Sequence, residues 1–371
     1  MAVRVERRMF TSAPWGLLAA TLLTAGIGIY NLVSASRPPN HPLWGAQSAY
    51  LAIGLLAVVG VAAFDYRFIQ RMAVPIYLLN IGALVALKFF GHTAKGAESW
   101  FVLGPLRVQP AEFMKIGMVL MYARFFNDDY RPGKEGHYGF LRLAIPVLIG
   151  LVPILLVLVQ PDLGTAVLIA AAGFIVLFLA GLSWRYVMVV VLAVATAAPV
   201  MWQFVLYDYQ KQRVLTLLDP ESDKLGAGWN IIQSKTAIGS GGVAGKGWLL
   251  GTQSHLDFLP EGHTDFIIAV LAEEWGFRGV ALLLALYLAL IGRALWIALR
   301  AQDTFSRLSV AGLSLTFFVY IVVNMGMVSG LLPVVGVPLP LISQGGTALI
   351  SLLAGFGIIM SVATERRRML G

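Results

Sequence analysis

Apolar residues in this chain come in long, nearly unbroken runs, not in the alternating or 3.6-residue patterns of half-buried strands and helices. The hydrocarbon core of a bilayer takes about 20 apolar residues per helix. Runs of that size lie at 14–35, 45–64, 71–90, 109–126, 141–160, 163–182, 185–206, 266–299, 307–331 and 339–363. They predict an all-α polytopic membrane protein of about ten transmembrane helices, because a spanning helix satisfies its own backbone. The eighth run is too long for one straight span, so it tilts, kinks or begins outside the bilayer. Only PDLG (161–164) separates the fifth run from the sixth, which predicts a tight reversal. A long segment, 207–264, lies between the seventh and eighth runs, and the whole chain, 1–371, reads as a single integral membrane domain.

Composition agrees with the pattern. The chain is 58% hydrophobic and 12% charged, where soluble domains run near 25% charged. The absence of cysteine excludes a disulfide framework and thiolate chemistry. The net charge of +8 is explained by its placement, and no nucleic-acid partner is expected. Basic residues fill the N-terminus (Arg4, Arg7, Arg8), the C-terminus (Arg366, Arg367, Arg368) and alternate loops (Arg67, Arg71, Arg124, Arg131, Lys134, Arg142, Arg185, Arg293, Arg300, Arg307). The opposite short loops hold only Arg37, Lys95 and Arg107. This bias predicts cytoplasmic termini and an external 207–264 segment.

Ionisable residues near membrane depth then become the candidates for chemistry. In QPAEFMK (109–115), Pro110 suits the first helical position and Glu112 the first turn. Lys115 follows on the same face, so the two can pair structurally, or Lys115 and Arg107 can face an anion such as a phosphate. Asp162, in QPDLGT (160–165), fits a turn or helix cap as readily as a site. In LPEGHTDFIIAVLAEEWG (259–276), a helix starting at His263 or Thr264 would put Asp265 in its first turn. There Asp265 serves the helix dipole or, with apolar surroundings raising its pKa, acts as a proton acceptor. Glu273 and Glu274 need partners, and Arg278, four residues beyond Glu274, is placed for one. The glycines of SQGGT (343–347) allow close backbone approach, most simply for helix packing.

The external stretch 226–260 is glycine-dense, and Trp229, Ile231, Ile232, Trp248, Leu249 and Leu250 read as a surface dipping into the headgroups. Within it GSGGVAGKG superficially resembles a phosphate-binding P-loop, but Ser240 stands where that pattern needs glycine, and Gly247 where it needs serine or threonine. The outer side therefore gathers Arg107, Glu112, Lys115, Asp162, Lys235, Lys246, His255, His263 and Asp265. A transporter would spread ionisable residues across the bilayer and onto both sides. Their crowding at the outer ends favours an enzyme acting on a lipid-linked anionic substrate.

Three longer stretches carry a resemblance. GAGWNIIQSKTAIGSGGVAGKGWLLGTQSHLDFLPEGHTDFIIAVLAEEWG (226–276), NMGMVSGLLPVVGVPLPLISQGG (324–346) and QPAEFMKIG (109–117) resemble the SEDS family, the shape, elongation, division and sporulation proteins. The likeness spans essentially the whole chain and is nearer the elongation branch than the division branch. It implies the GT-C-like SEDS fold and a multi-pass protein of the bacterial cytoplasmic (inner) membrane. The implied activity is peptidoglycan glycosyl transfer: polymerising lipid II into glycan strands at the outer face during elongation and rod-shape maintenance. A lipid II flippase and a non-catalytic scaffold are the alternatives. The implied partners are a class B penicillin-binding protein (a transpeptidase), the lipid II substrate and membrane lipids.

The resemblance also assigns roles. The family's essential aspartate falls on Asp265, its Glu and Lys on Glu112 and Lys115, its PDLGT aspartate on Asp162, and a functionally important tryptophan on Trp100. The chain departs from the family where Gln344 replaces a tyrosine of S-Y-G-G-S, and Thr347 its last serine. Chemically, transfer needs a base for the acceptor hydroxyl, for which Asp265 is suited, and cations for the leaving diphosphate, for which Lys115, Arg107, Lys235 and Lys246 are candidates. Trp100, Glu112, Asp162 and His263 complete the expected substrate site. The sequence points to no definite cofactor, though a divalent cation could share the diphosphate charge.

Overall fold

A computed structural model describes residues 14–36, 43–94, 97–104, 106–129, 140–204, 208–223, 226–255, 259 and 261–370. Each apolar run falls on one long helix. These are α1 (Trp15–Ala35), α2 (Leu43–Ala63), α3 (Tyr66–Phe90), α4 (Pro110–Asp128), α5 (Phe140–Val159), α6 (Leu163–Leu179) and α7 (Trp184–Phe204). After the shorter α8 (Asp208–Leu218), α9 (Ala227–Gly241) and α10 (Thr252–His255) come α11 (Ile267–Leu299), α12 (Thr304–Val328) and α13 (Gly346–Leu370). Seven of these helices are long and apolar enough to cross a membrane: α1, α2, α3, α7, α11, α12 and α13. The apolar parts of α5 and α6 are shorter, and α4 carries Glu112, Lys115, Arg124 and Asp128. The basic termini lie outside the described backbone or side chains.

Two departures from the all-helical expectation matter for the site. Between α3 and α4 the chain forms an antiparallel meander of β1 (His92–Ala94), β2 (Ala97–Leu103) and β3 (Leu106–Val108). Residues 339–345, expected to be helical, instead form a loop that folds under the start of α11. Leu341, at φ 64°, takes the backbone out of helical conformation there.

The centre of the bundle is α12, packed on α4 and α6. Gly312 lets this happen: a Cβ there would lie 2.8 Å from both Val119 of α4 and Val176 of α6. The long pairing of α13 with α2 uses the same device, with Gly54 against Leu353 and Gly357 against Val58 and Val61. Small residues let backbones approach where lipid offers no hydrophobic drive for association. By contrast α7 buries Val187 alone.

The length of the eighth run is resolved by a break. Gly276 sits at φ 64°, ψ −163° inside α11, a conformation open to glycine. The glycine-rich stretch after α9 fills the break. Lys246 N and Gly247 N donate to the carbonyls of Glu273 and Glu274 (3.0 and 2.9 Å), while Phe277 N and Arg278 N donate to those of Gly242 and Val243 (2.9 and 3.2 Å). Backbone groups freed by the interruption are thus satisfied by the loop. GSGGVAGKG is glycine-rich for this reason: a Cβ at Gly241 or Gly245 would lie 2.0 or 2.1 Å from a carbonyl oxygen of α11. Within the expected headgroup surface, Ile231 is instead buried against the end of α12, near Gly330. Trp248 stacks on Tyr30 of α1 at 4.6 Å.

Candidate functional site

Asp265 lies not in the first turn of a helix but in the turn 261–266 just before α11, whose N-cap is Phe266. The carbonyls of this turn are held by other elements. Gln344 N donates to His263 O at 3.1 Å. Ser343 Oγ donates to Thr264 O at 2.6 Å. Asn324 Nδ2 donates to Asp265 O at 2.8 Å and to Val337 O at 2.7 Å. The helical ladder starts at Ile267, whose carbonyl also receives Asn31 Nδ2 at 3.1 Å.

The loop that supplies these donors, 333–345, is itself pinned. Ser343 Oγ accepts from Leu339 N at 2.7 Å, Gln47 of α2 bonds both Ser343 O and Gly345 N, and Tyr287 OH donates to Pro340 O at 2.6 Å. Gly336, at φ 73°, brings the loop beside the carboxylate: a Cβ there would be 3.7 Å from Asp265 Oδ2. Asp265 and His263 are half-buried.

A belt of contacts joins this turn to the other predicted residues. Thr347, at the start of α13, donates through Oγ1 to Arg107 O at 2.7 Å. Gln109 Nε2 donates to Asp162 Oδ2 at 3.1 Å. Asp162 is also the N-cap of α6, accepting from Thr165 N at 3.0 Å and Thr165 Oγ1 at 2.8 Å, so it both caps a helix and ties α6 to α4. One residue into α6, Gly164 packs on the Val335 carbonyl of the loop. Arg107 is exposed and Trp100 half-buried. Arg107 pairs with Val102 across the meander, and Trp100 is two residues from Val102, so both project from one face.

Beneath the belt, Glu112 and Lys115 form the expected i,i+3 pair, with Lys115 Nζ donating to Glu112 Oε1 at 2.7 Å. Both are buried, at 6% and 3% exposure. A third group closes the ring: Tyr320 OH of α12 donates to Glu112 Oε2 at 3.0 Å and accepts from Lys115 Nζ. The pair borders a cavity of about 40 Å³ lined by Tyr320, Thr316, Phe317, Ser351 and Phe356. That is room for a water molecule or two, not for a sugar diphosphate.

The remaining lysines lie elsewhere. Lys235, exposed on α9, reaches the carbonyl end of α12 beside Gly330, where a cation suits the helix dipole. Lys246 bonds Glu273 Oε1 at 2.7 Å, and that buried carboxylate also accepts from Thr252 N, Thr252 Oγ1 and Gln253 N. Glu274 accepts from Ser34 of α1 rather than following the helical spacing to Arg278. The Gly276 break interrupts that spacing, and Arg278 is exposed beyond it. The side chain of His255 lies outside the described residues. Among the described residues no three His, Asp or Glu side chains come together as a metal site. Tyr320, Asn324, Gln47 and Gln109 were missed by a search for charge. Thr316, Tyr320 and Asn324 recur every fourth position in an apolar run, and that neutral polar stripe is the signal that could have found them.

Comparison with known proteins bears on this arrangement. The sequence profile of the FtsW/RodA/SpoVE cell cycle proteins matches residues 14–368. The chain belongs to this family. Over 317 residues it is 56% identical to the peptidoglycan glycosyltransferase MrdB of Escherichia coli K12, covering 85% of this chain and 84% of that one. It is 36% identical over 374 residues to a probable peptidoglycan glycosyltransferase FtsW of Trichlorobacter lovleyi, covering 97% and 96%. Among solved structures it superposes on a chain from a peptidoglycan synthase complex, described as coordinating polymerization and crosslinking, with TM-score 0.82, 35% identity and coverage of 95% and 98%. The rod shape determining protein RodA of Thermus thermophilus matches with TM-score 0.72, 31% identity and coverage of 95% and 97%. This FtsW/RodA/SpoVE chain therefore has the polytopic, mostly all-α membrane fold expected of it, with the meander as an addition.

Proposed function

We propose that this chain is a peptidoglycan glycosyltransferase that polymerises lipid II into glycan strands at the outer face of the cytoplasmic membrane, with both termini inside. The observation that carries the residue assignment is the tethering of the Asp265 turn. Its backbone is fixed by α12 and by loop 333–345, while its half-buried carboxylate stands beside Gly336, where no side chain intervenes. A base held that way can take the proton from the acceptor sugar's hydroxyl as that oxygen attacks the donor sugar's anomeric carbon. The bond to the lipid diphosphate breaks on the opposite side, giving inversion in a single displacement. Preorganised positive charge then stabilises the leaving diphosphate.

Arg107 is the exposed cation of the belt and meets the diphosphate directly in this scheme, with Trp100 on the same face of the meander. Lys115 acts from beneath, through the field of the Glu112–Lys115–Tyr320 ring, because its pocket is too small to admit the substrate. His263 and Asp162 position the belt. Lys246 belongs to the α11 joint, and Lys235 to the seat of α9 on α12. Support for a class B penicillin-binding protein as partner comes from the likeness to a chain of a complex that coordinates polymerization and crosslinking.

The test is lipid II polymerisation by purified protein, alone and with its cognate transpeptidase. Asp265→Asn is expected to abolish polymer while the thermal melting midpoint in detergent stays within a degree or two, the amide being nearly isosteric. An Asp265→Asn protein that still makes glycan refutes the assignment. A wild-type protein that moves labelled lipid II between leaflets without making polymer refutes the reaction class.

A further inference from the structure

We propose that Tyr320 and Asn324, one turn apart on α12, are positioning residues that hold the Glu112–Lys115 pair and the Asp265 turn in one fixed relation. The inference rests on the glycosyltransferase assignment above and adds to it the element that sets the site's geometry. Four residues of helix rise about 6 Å, so the two anchor points are close and rigidly linked. Tyr320 OH contacts both members of the ion pair. Asn324, 0% exposed, spends both amide hydrogens on main-chain carbonyls, those of Asp265 and Val337. These carbonyls belong to the two segments that flank the Asp265 carboxylate, since Val337 follows Gly336. Val337 in turn packs with Tyr320 and Leu168 in a small apolar cluster. An unbroken path thus runs from Lys115 through Tyr320, Val337 and Asn324 to Asp265.

Packing alone does not explain these two side chains. Asn324 Oδ1 is buried and meets no donor among the described residues, a state that destabilises the fold. A leucine would fill the same space without that orphan but would take this donor from the Asp265 and Val337 carbonyls, so what the amide adds is the two tethers. The amide cannot turn over to satisfy its oxygen, because that would aim Oδ1 at two acceptors. Likewise a phenylalanine at 320 would keep the ring beneath Lys115, whose Nζ is 4.5 Å from the ring centre, and would lose only the hydroxyl that closes the ion-pair ring.

The experiment compares Tyr320→Phe, Asn324→Leu and the double variant in steady-state lipid II polymerisation by full-length protein, with rates normalised to folded protein. Misplacing catalytic groups by an ångström costs up to about 100-fold. Each single variant is therefore expected to lose about 10- to 100-fold in kcat per folded molecule with KM little changed, beyond any fall in the melting midpoint caused by the acceptors it strands. Because both act through one helix, the double variant is expected to lose less than the product of the two. A lowered melting midpoint with kcat per folded molecule unchanged overturns the proposal, as does a strictly multiplicative double loss. Failure of the underlying reading is distinguishable: there wild type itself makes no polymer, whereas here wild type is active and the variants match it.

Discussion

The Glu112–Lys115 and Glu273–Lys246 pairs share a chemistry and a 2.7 Å separation, yet they are built for different ends. The first is local, two residues of one helical face, and both side chains are nearly sealed from solvent. Among the described residues its other polar contact to a side chain of another helix is Tyr320, and a small cavity lies beside it. The second joins residues 27 positions apart, from the loop after α9 to α11 just before the Gly276 break, and its lysine is 25% exposed. Glu273 there collects backbone N–H groups from Thr252 and Gln253 in addition to the ammonium. A carboxylate saturated by fixed backbone donors is a staple. A carboxylate shared between one ammonium and one phenol, facing a void, is the one the proposed reaction uses to set the field where charge develops.

Breaking the first pair should have the largest effect. Lys115→Met leaves Glu112 buried with Tyr320 as its remaining donor among these partners, and removal of one member of a buried pair costs about 3–5 kcal/mol. Polymerisation is expected to vanish and the melting midpoint to fall. The sharper measurement is the double variant Glu112→Gln/Lys115→Met, which removes both charges. It is expected to recover most of the lost stability while remaining inactive, since the field has gone. A stable double variant that polymerises lipid II at the wild-type rate would reduce this pair to a staple as well.

The converse substitution is milder. In Lys246→Met, Glu273 keeps Thr252 N, Thr252 Oγ1 and Gln253 N as donors, and Lys246 was already partly in water. Losing one charge-assisted bond of that kind costs about 1–3 kcal/mol. The melting midpoint should drop, while kcat per folded molecule stays near wild type. A drop in kcat with unchanged stability would move Lys246 from the joint into the active site.

How much of this was legible in the sequence follows from what each feature depends on. The ten apolar runs, the turn at Asp162, the overlong eighth run and the Glu112–Lys115 pair depend on local spacing, and local spacing is what a sequence displays. The meander was hidden because its strands are only three and seven residues long and sit between strong helical signals. The partners of Glu273 and Glu274 were hidden because Lys246 and Ser34 reach them from distant segments. The turn before α11 was hidden because what holds its carbonyls comes from residues about 60 to 80 positions away. Tyr320 and Asn324 escaped because a search for charge passes over neutral groups, although in an apolar run they are the residues able to hold an ion pair or a backbone carbonyl.

Arg107 extends the comparison to a cation in solvent, and its removal should have the smallest effect. Its backbone is tied to Thr347, so the side chain can change without moving the belt. An exposed ionic contact is worth roughly 1 kcal/mol or less and is screened by salt. Arg107→Gln is therefore expected to raise KM for lipid II about two- to fivefold with kcat nearly unchanged. Wild-type KM should climb with ionic strength, and the variant's should climb less, because the screened partner has been removed. If KM and its salt dependence both match wild type, Arg107 does not meet the diphosphate, and the buried Lys115 field is left as the cation of the belt that the leaving group feels.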